Sequence, residues 1–182
     1  MKQFLIVVDM QHDFVDGALG TPEAVGILEN AAALIRSWED EIFVTFDTHD
    51  ADYLETAEGR KLPVVHCAAG TEGWTLHPQI GEALAEREAA APGSVQTVQK
   101  HTFGSVRLPE LIAEAAGDEA FSITLIGLCT DICVISNAML LKAHFPEMPI
   151  AVRADCCAGV TPLLHTAALA VMQSCQIDIE NA

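Results

Sequence analysis

Three residues whose side chains could perform nucleophilic chemistry stand just after apolar segments of the sequence. Asp9 follows the first apolar run, Lys100 follows the segment 95–99, and Cys133 lies six residues past Gly127. A cysteine can attack a carbonyl carbon when a carboxylate takes its proton and an ammonium stabilises the anions that form. Taken singly, each residue is equally well explained as a core thiol, a turn residue or a solvated charge, so the fold must decide.

The residues around Cys133 predict that this thiol lies at the start of a helix. If Thr130 is the N-cap, Cys133 occupies the first turn, where the helix dipole and the free N–H groups favour a thiolate. The same N–H groups could hold an oxyanion that develops on a substrate.

Apolar strand patterns alternate with helical patterns along the chain, and we expect one domain over residues 1–182. Strands that are almost continuously apolar predict a mostly parallel, doubly wound sheet of about six strands in a three-layer α/β/α arrangement. Such sheets bind ligands at the carboxyl ends of their strands, so Asp9, Lys100 and Cys133 should meet there. The predicted strands are residues 3–8, 41–46, 95–99, 121–126, 149–153 and 176–179. The predicted helices are residues 21–38, 108–116, about 131–144, and a last long helix that opens at Thr161-Pro162.

One segment, residues 47–79, has neither a helical nor a strand period. A loop of this length inside a compact domain is usually functional. Its candidate ligands and acid–base groups are Asp47, His49, Asp50, Asp52, Glu55, Glu58, His66 and His77.

Composition and charge exclude several classes of protein. With 51% hydrophobic residues in 182, the chain can bury a sizeable core. A formal net charge of −17 repels phosphate backbones, so we expect no nucleic-acid partner. No apolar run is long enough for a membrane span, and residues 1–9 read as a core strand and not as a signal peptide. We therefore expect a cytoplasmic protein without a membrane partner.

The six cysteines do not form a recognisable disulfide or zinc-ribbon pattern. No C-x-x-C pair is present, and a chain with so large an apolar content does not need a disulfide framework. We expect most of these thiols to be reduced and several to be small core residues.

Three motifs resemble those of the isochorismatase-like cysteine hydrolases, which include nicotinamidases and N-carbamoylsarcosine amidohydrolase. Residues 8–14 (Val-Asp-Met-Gln-His-Asp-Phe) resemble the family's D-x-Q-x-D-F motif, and residues 100–105 its lysine motif. Residues 127–134 (Gly-Leu-Cys-Thr-Asp-Ile-Cys-Val) resemble its nucleophile motif G-x-x-T-D-x-C-V. The late segment 155–165 is also similar, so the resemblance covers essentially the whole chain.

The resemblance implies an enzyme that hydrolyses small amides through a thioester, without an organic cofactor. In the family pattern Asp9 is the base, Lys100 the electrostatic partner and Cys133 the nucleophile. The peptide Leu128–Cys129 falls where the family has a non-proline cis bond, which would bring the Cys129 N–H beside the Cys133 N–H in an oxyanion hole. Cys129 is then a packing residue. A homo-oligomer, dimeric or tetrameric, is also implied.

Similarity to the nicotinamidases implies a divalent metal site in the loop after the second strand. Asp47, His49, a third ligand and a later histidine, here His66, would hold zinc, with manganese or iron as alternatives. Glu58 has the best spacing for the third ligand, and Glu55 is the runner-up. The alternative is that Asp47 and His49 only cap the loop and that His66 packs under Trp74.

The substrate pocket departs from the nicotinamidase pattern at one wall. Phe14 matches one aromatic wall, but Pro63 stands where those enzymes often have the other, and Tyr53 or Trp74 could substitute for it. Nicotinamide hydrolysis is the leading hypothesis. An isochorismatase cleaving a vinyl ether, a small-amide or ureido hydrolase without metal, and a binding protein that has lost catalysis are the alternatives.

Overall fold

A sheet of six parallel strands forms the centre of the computed structural model, which describes residues 1–182. The strand order is β3-β2-β1-β4-β5-β6. The strands are β1 (Lys2–Val8), β2 (Ile42–Asp47), β3 (Val95–Lys100), β4 (Phe121–Leu128), β5 (Ile150–Ala158) and β6 (Asp178–Glu180). The predicted parallel α/β fold is therefore confirmed. Two separate buried clusters, one on each face of the sheet, form the core.

Helices cover both faces of the sheet. They are α1 (His12–Val15), α2 (Pro22–Gly26), α3 (Leu28–Ser37), α4 (Pro78–Ala90), α5 (Leu108–Ala116), α6 (Ile135–His144) and α7 (Pro162–Ser174). Thr21 and Thr161 cap α2 and α7 through their side chains, and a proline follows each cap. None of these helices combines the length and the apolar character that crossing a membrane requires.

Several element boundaries differ from the predicted ones. The single helix expected over 21–38 is two helices, because the first ends at Gly26, a poor helix former. The strand expected at 149–153 continues to Ala158, and its added part includes Asp155, which forms an ion pair with Arg153. The last strand is Asp178–Glu180 and not 176–179.

The sequence pattern did not predict α1 or α4. Helix α4 is rich in alanine and glutamate, so its apolar face contrasts weakly with its polar face, although Ile80, Ala83 and Leu84 are buried. Its start at Pro78 shortens the irregular segment, which also contains a single 3₁₀ turn at Tyr53–Glu55.

Candidate active site and metal centre

Asp9, Lys100 and Cys133 meet at the carboxyl edge of the sheet. Lys100 Nζ lies 2.6 Å from Asp9 Oδ2 and 3.5 Å from Cys133 Sγ. The three residues are almost fully buried, with exposed fractions of 0%, 3% and 4% respectively. The structure thus brings together the three residues that the sequence placed after strands.

A local bend and one hydroxyl fix the carboxylate of Asp9. The chain leaves β1 at Asp9 in the left-handed region, with φ 47°, which turns it out of the sheet. Thr45, paired in register with Val8, donates from Oγ1 to Asp9 Oδ1 at 2.6 Å. The role of Thr45 was not predicted from the sequence. The one feature that could have indicated it is a hydroxyl group within the otherwise apolar residues 42–46 of strand β2.

Cys133 belongs to a π-helical turn, Thr130–Val134, that precedes α6. The N-cap is Cys129 and not Thr130 as predicted, and the peptide Leu128–Cys129 is cis. The Thr130 hydroxyl is engaged elsewhere, because its Oγ1 lies 2.8 Å from His165 Nδ1. Thr130 therefore links the turn to the start of α7.

Asn137 is a second residue that the sequence analysis missed. Its side chain is fully buried, donates to the Cys133 carbonyl at 2.8 Å and accepts from the Ser105 N–H at 2.9 Å. It fastens the segment after Lys100 to the turn that carries the nucleophile. The contact with Cys133 spans four residues, but the contact with Ser105 spans 32, and no local pattern predicts it.

Burial opposes ionisation of the Cys133 thiol, whereas the helix start alone was expected to favour a thiolate. Burial raises the pKa of Cys133 well above its ordinary value, and the negative charge of Asp9 raises it further. Burial also raises the pKa of Asp9, although Lys100 opposes this. Two neighbouring groups that each resist ionisation titrate as a pair.

Lys100 keeps its positive charge in this buried setting. Burial acts to lower its pKa, but the acidic groups around it, above all the carboxylate of Asp9, outweigh burial and raise the pKa above the ordinary value. A fixed ammonium next to the thiol and the carboxylate can stabilise whichever of the two is ionised.

Four side chains of the irregular segment converge beside the triad. One ligand atom from each of Asp47, His49, Glu58 and His66 can be chosen so that all lie within 4.8 Å of one another. His49 Nε2 is 2.9 Å from Asp47 Oδ2 and 3.8 Å from Glu58 Oε1. Glu58, and not the runner-up Glu55, is the third member of the set.

The donor set fits a divalent cation. His66 Nδ1 lies 2.8 Å from the Val64 carbonyl, which can only accept, so Nδ1 carries the proton and Nε2 presents its lone pair to the cluster. His49 Nε2 is buried and makes no aligned hydrogen bond, although Asp47 Oδ2 is close. Two imidazoles and two carboxylates are ligands that suit zinc, manganese or iron.

A cavity of about 300 Å³ connects the thiol to this cluster. Cys133, Phe14, His66 and Leu62 lie on its lining, which is mostly hydrophobic. The lining contains the acids Asp47 and Glu58 but neither lysine nor arginine. The cavity is therefore suited to a small uncharged molecule with an apolar body.

Two residues expected to bind substrate do not line this cavity. Tyr53 is buried behind the metal-ligand set, with its ring 4.4 Å from that of His49 and 5.0 Å from that of His66. Trp74 packs on Phe46 and donates from Nε1 to Thr48 Oγ1 at 2.9 Å. Both assignments to the pocket wall are corrected, and His66 packs against Tyr53 and Phe14.

The position of the missing aromatic wall is also resolved. Pro63 does not reach the cavity, and its neighbour Leu62 does. Phe14 lines the cavity, as expected, with its ring 5.4 Å from that of His66. The lining also includes a second aromatic residue, Phe103, which the sequence pattern did not single out.

Comparisons with known proteins agree on the family. Residues 3–181 match the isochorismatase domain family. An uncharacterised isochorismatase family protein of Bacillus subtilis (strain 168), PncA, is 29% identical over 145 residues, which are 76% of this chain and 78% of that protein.

Solved structures of similar proteins share the fold over nearly the whole chain. The crystal structure of the nicotinamidase/pyrazinamidase PncA from Bacillus subtilis superposes with a TM-score of 0.82 at 26% identity, covering 98% of this chain and 99% of that one. An N-carbamoylsarcosine amidase from Thermoplasma acidophilum gives a TM-score of 0.71 at 25% identity, covering 98% and 95%.

Proposed function

The chain belongs to the isochorismatase family, and we propose that it is a nicotinamidase-like amidase that converts a small aromatic amide to its acid and ammonia. The observation that carries the proposal is the buried contact of Lys100 with both Asp9 and Cys133, next to a cavity whose wall holds a metal-ligand set. Its similarity to a nicotinamidase/pyrazinamidase over 98% of the chain supports the amide substrate.

The proposed reaction begins with proton transfer from Cys133 to Asp9. The thiolate then forms a C–S bond to the amide carbon, and the carbonyl oxygen becomes an oxyanion. In the proposed oxyanion hole, the backbone N–H groups of Cys129 and Cys133 would stabilise it. The C–N bond breaks as Asp9 returns its proton to the departing nitrogen, which leaves as ammonia.

A water molecule completes the cycle. Asp9, now ionised again, takes a proton from the water as its oxygen attacks the thioester carbon. The C–S bond breaks, the thiolate regains the proton from Asp9, and the carboxylic acid is released. Lys100 remains protonated throughout and offsets the charge that alternates between Asp9 and Cys133.

Asp47, His49, Glu58 and His66 are the residues that would hold a divalent ion, for which we propose zinc. A bound ion supplies a Lewis acid that can hold a ring nitrogen of the substrate and so orient its carboxamide. Phe14 and Leu62 would pack on the two faces of the ring, while the buried surroundings exclude water from the thiol.

The charge of the cavity disfavours the isochorismatase alternative. Isochorismate carries two carboxylates, and the cavity lining has no lysine or arginine to pair with them. The one nearby ammonium, Lys100, is already paired with Asp9 and Asp47. An uncharged amide needs no such cationic partner, so nicotinamide and similar neutral amides are preferred over acidic substrates. Cytoplasmic location and homo-oligomerisation stay predictions.

Ammonia release from nicotinamide, measured for the wild type and Asp9→Asn, tests the proposal. Asparagine keeps the size of the side chain but cannot accept the thiol proton. We expect kcat to fall by a factor of at least ~10² with a nearly unchanged KM, since general-base catalysis acts in the transition state. Retained kcat with a raised KM would show that Asp9 only binds substrate.

A further inference from the structure

Two side chains of the segment that follows β1 form hydrogen bonds with backbone groups of a metal-ligand residue or of the residue next to one. These are Gln11 and Asp13, two and four residues beyond the proposed base Asp9. Neither touches Lys100 or Cys133, so their contacts lie outside the triad.

Gln11 replaces a missing piece of β1. The chain bends away at Asp9, which leaves the backbone of Asp47 without a strand partner on that side. The Gln11 carboxamide takes this place, because Oε1 accepts from the Asp47 N–H at 2.8 Å and Nε2 donates to the Asp47 carbonyl at 2.9 Å. Nε2 also donates to the Trp74 carbonyl at 2.8 Å. The side chain is fully buried and all its polar atoms are used, so it holds Asp47 in one position.

Asp13 holds the other end of the ligand set. Its Oδ2 accepts from the N–H of Cys67, the residue after His66, at 2.8 Å. Cys67 in turn accepts a 3.0 Å hydrogen bond from the His49 N–H through its carbonyl. Since Cys67 adopts the left-handed φ of 45°, this backbone needs such support.

We propose that Gln11 and Asp13 are positioning residues for the metal-ligand set, so that one segment supplies the proposed base and also fixes the spacing of Asp47, His49 and His66. This inference rests on the proposed metal-assisted amidase. Groups that orient metal ligands typically change metal affinity by 10- to 100-fold when they are removed.

Zinc affinity, measured with zinc alone by titration of metal-free protein, tests the inference. Gln11→Met and Asp13→Ala should each weaken zinc binding by about tenfold or more, and Asp13→Asn, which can still accept from Cys67, should recover most of it. Gln96→Met is the matched control, because Gln96 Nε2 bonds Glu41 at 3.1 Å at the opposite end of the sheet. A structural loss alone would also change the rate of Cys133 alkylation in the metal-free protein, because it would alter the burial of the thiol, whereas positioning of the ligands leaves that rate within about twofold.

Three outcomes overturn the inference. The first is a folded Gln11→Met or Asp13→Ala that binds zinc as tightly as the wild type. The second is a change of more than about twofold in the rate of Cys133 alkylation in both variants, in parallel with their loss of zinc binding. The third is a wild type that releases ammonia but binds no zinc, which leaves the amidase standing without its metal. If Gln11→Met does not fold, Asp13→Ala and Asp13→Asn test the inference by themselves, because Asp13 is only half-buried.

Discussion

The carboxylate of Asp47 accepts a hydrogen bond of 3.0 Å from the ammonium of Lys100. Its other oxygen, Oδ2, faces His49 Nε2 at 2.9 Å and His66 Nε2 at 3.7 Å. One side chain therefore belongs both to the ligand set and to the charge network around the thiol. Any change at Asp47 acts on both parts, whereas a change at His66 acts on the ligand set alone.

The first prediction separates these two roles in metal-free protein. Burial is the main cause that raises the pKa of Asp9 and of Cys133, and the negative charge of Asp47 raises both further. Asp47→Asn removes that charge, so the thiol should ionise more readily and Cys133 should be alkylated roughly three- to tenfold faster at neutral pH. His66→Ala should leave this rate unchanged. Equal rates in wild type, Asp47→Asn and His66→Ala would mean that Asp47 is not part of the charge network.

The second prediction is that Cys133 is the only catalytic thiol. Cys133→Ala should abolish ammonia release and the acyl-enzyme adduct that mass spectrometry detects on the wild type. Cys129 lies on the same cavity, but the ammonium of Lys100 donates its hydrogen bond to Cys133 Sγ and not to Cys129. Cys129→Ala is therefore the matched control and should keep most of the activity. Turnover in Cys133→Ala comparable to the wild type would eliminate the thioester.

How much of this site the sequence could predict depends on the range of the contacts. Asp9, Lys100 and Cys133 were predictable because parallel strands bring their carboxyl ends to one edge, and this rule needs no side-chain detail. The preference for Glu58 over Glu55 came from the spacing that the family resemblance implies, and the structure agrees with it. The 3₁₀ turn at Tyr53–Glu55 was not predicted, because the segment has no helical period.

Residues that support the site were harder to find. Thr45 and Asn137 act through partners 36 and 32 residues away, and no local period records such pairs. The aromatic residues Tyr53 and Trp74 were assigned to the pocket because an aromatic side chain can stack on a substrate ring. An aromatic side chain packs equally well against protein, as Tyr53 does against His49 and Trp74 against Phe46. Residue type alone does not distinguish the two.

The third prediction concerns the pH dependence of kcat/KM. Burial raises the pKa of Asp9, so activity should be lost as pH falls through a value above the ordinary carboxyl pKa of about 4. The Thr45 hydroxyl acts in the opposite direction, because its hydrogen bond stabilises the ionised carboxylate. Thr45→Val should therefore move the acid limb to still higher pH and lower the rate near neutrality.

The control for this profile is Thr124→Val, in a half-buried position of β4, the strand on the other side of β1 from β2. It should leave the acid limb in place. A Thr45→Val profile that falls in height without shifting in pH would assign Thr45 to packing and not to the charge state of Asp9.

The last prediction tests the metal and the substrate together. Metal analysis of wild type should find about one divalent ion per chain, and His66→Ala should lose it because Nε2 of His66 faces both Asp47 and Glu58. Without the ion, a ring nitrogen loses its anchor, so hydrolysis of pyridine and pyrazine carboxamides should fall by at least ~10², while benzamide and aliphatic amides change little. His144→Ala, at an exposed histidine of α6, should alter neither metal content nor substrate preference. Leu62 lines the cavity next to the position expected to be aromatic, and an aliphatic side chain stacks less well on a ring, so branched aliphatic amides should also be accepted by the wild type. An equal loss on every amide would mean that the ion supports the fold of the loop and does not orient the ring.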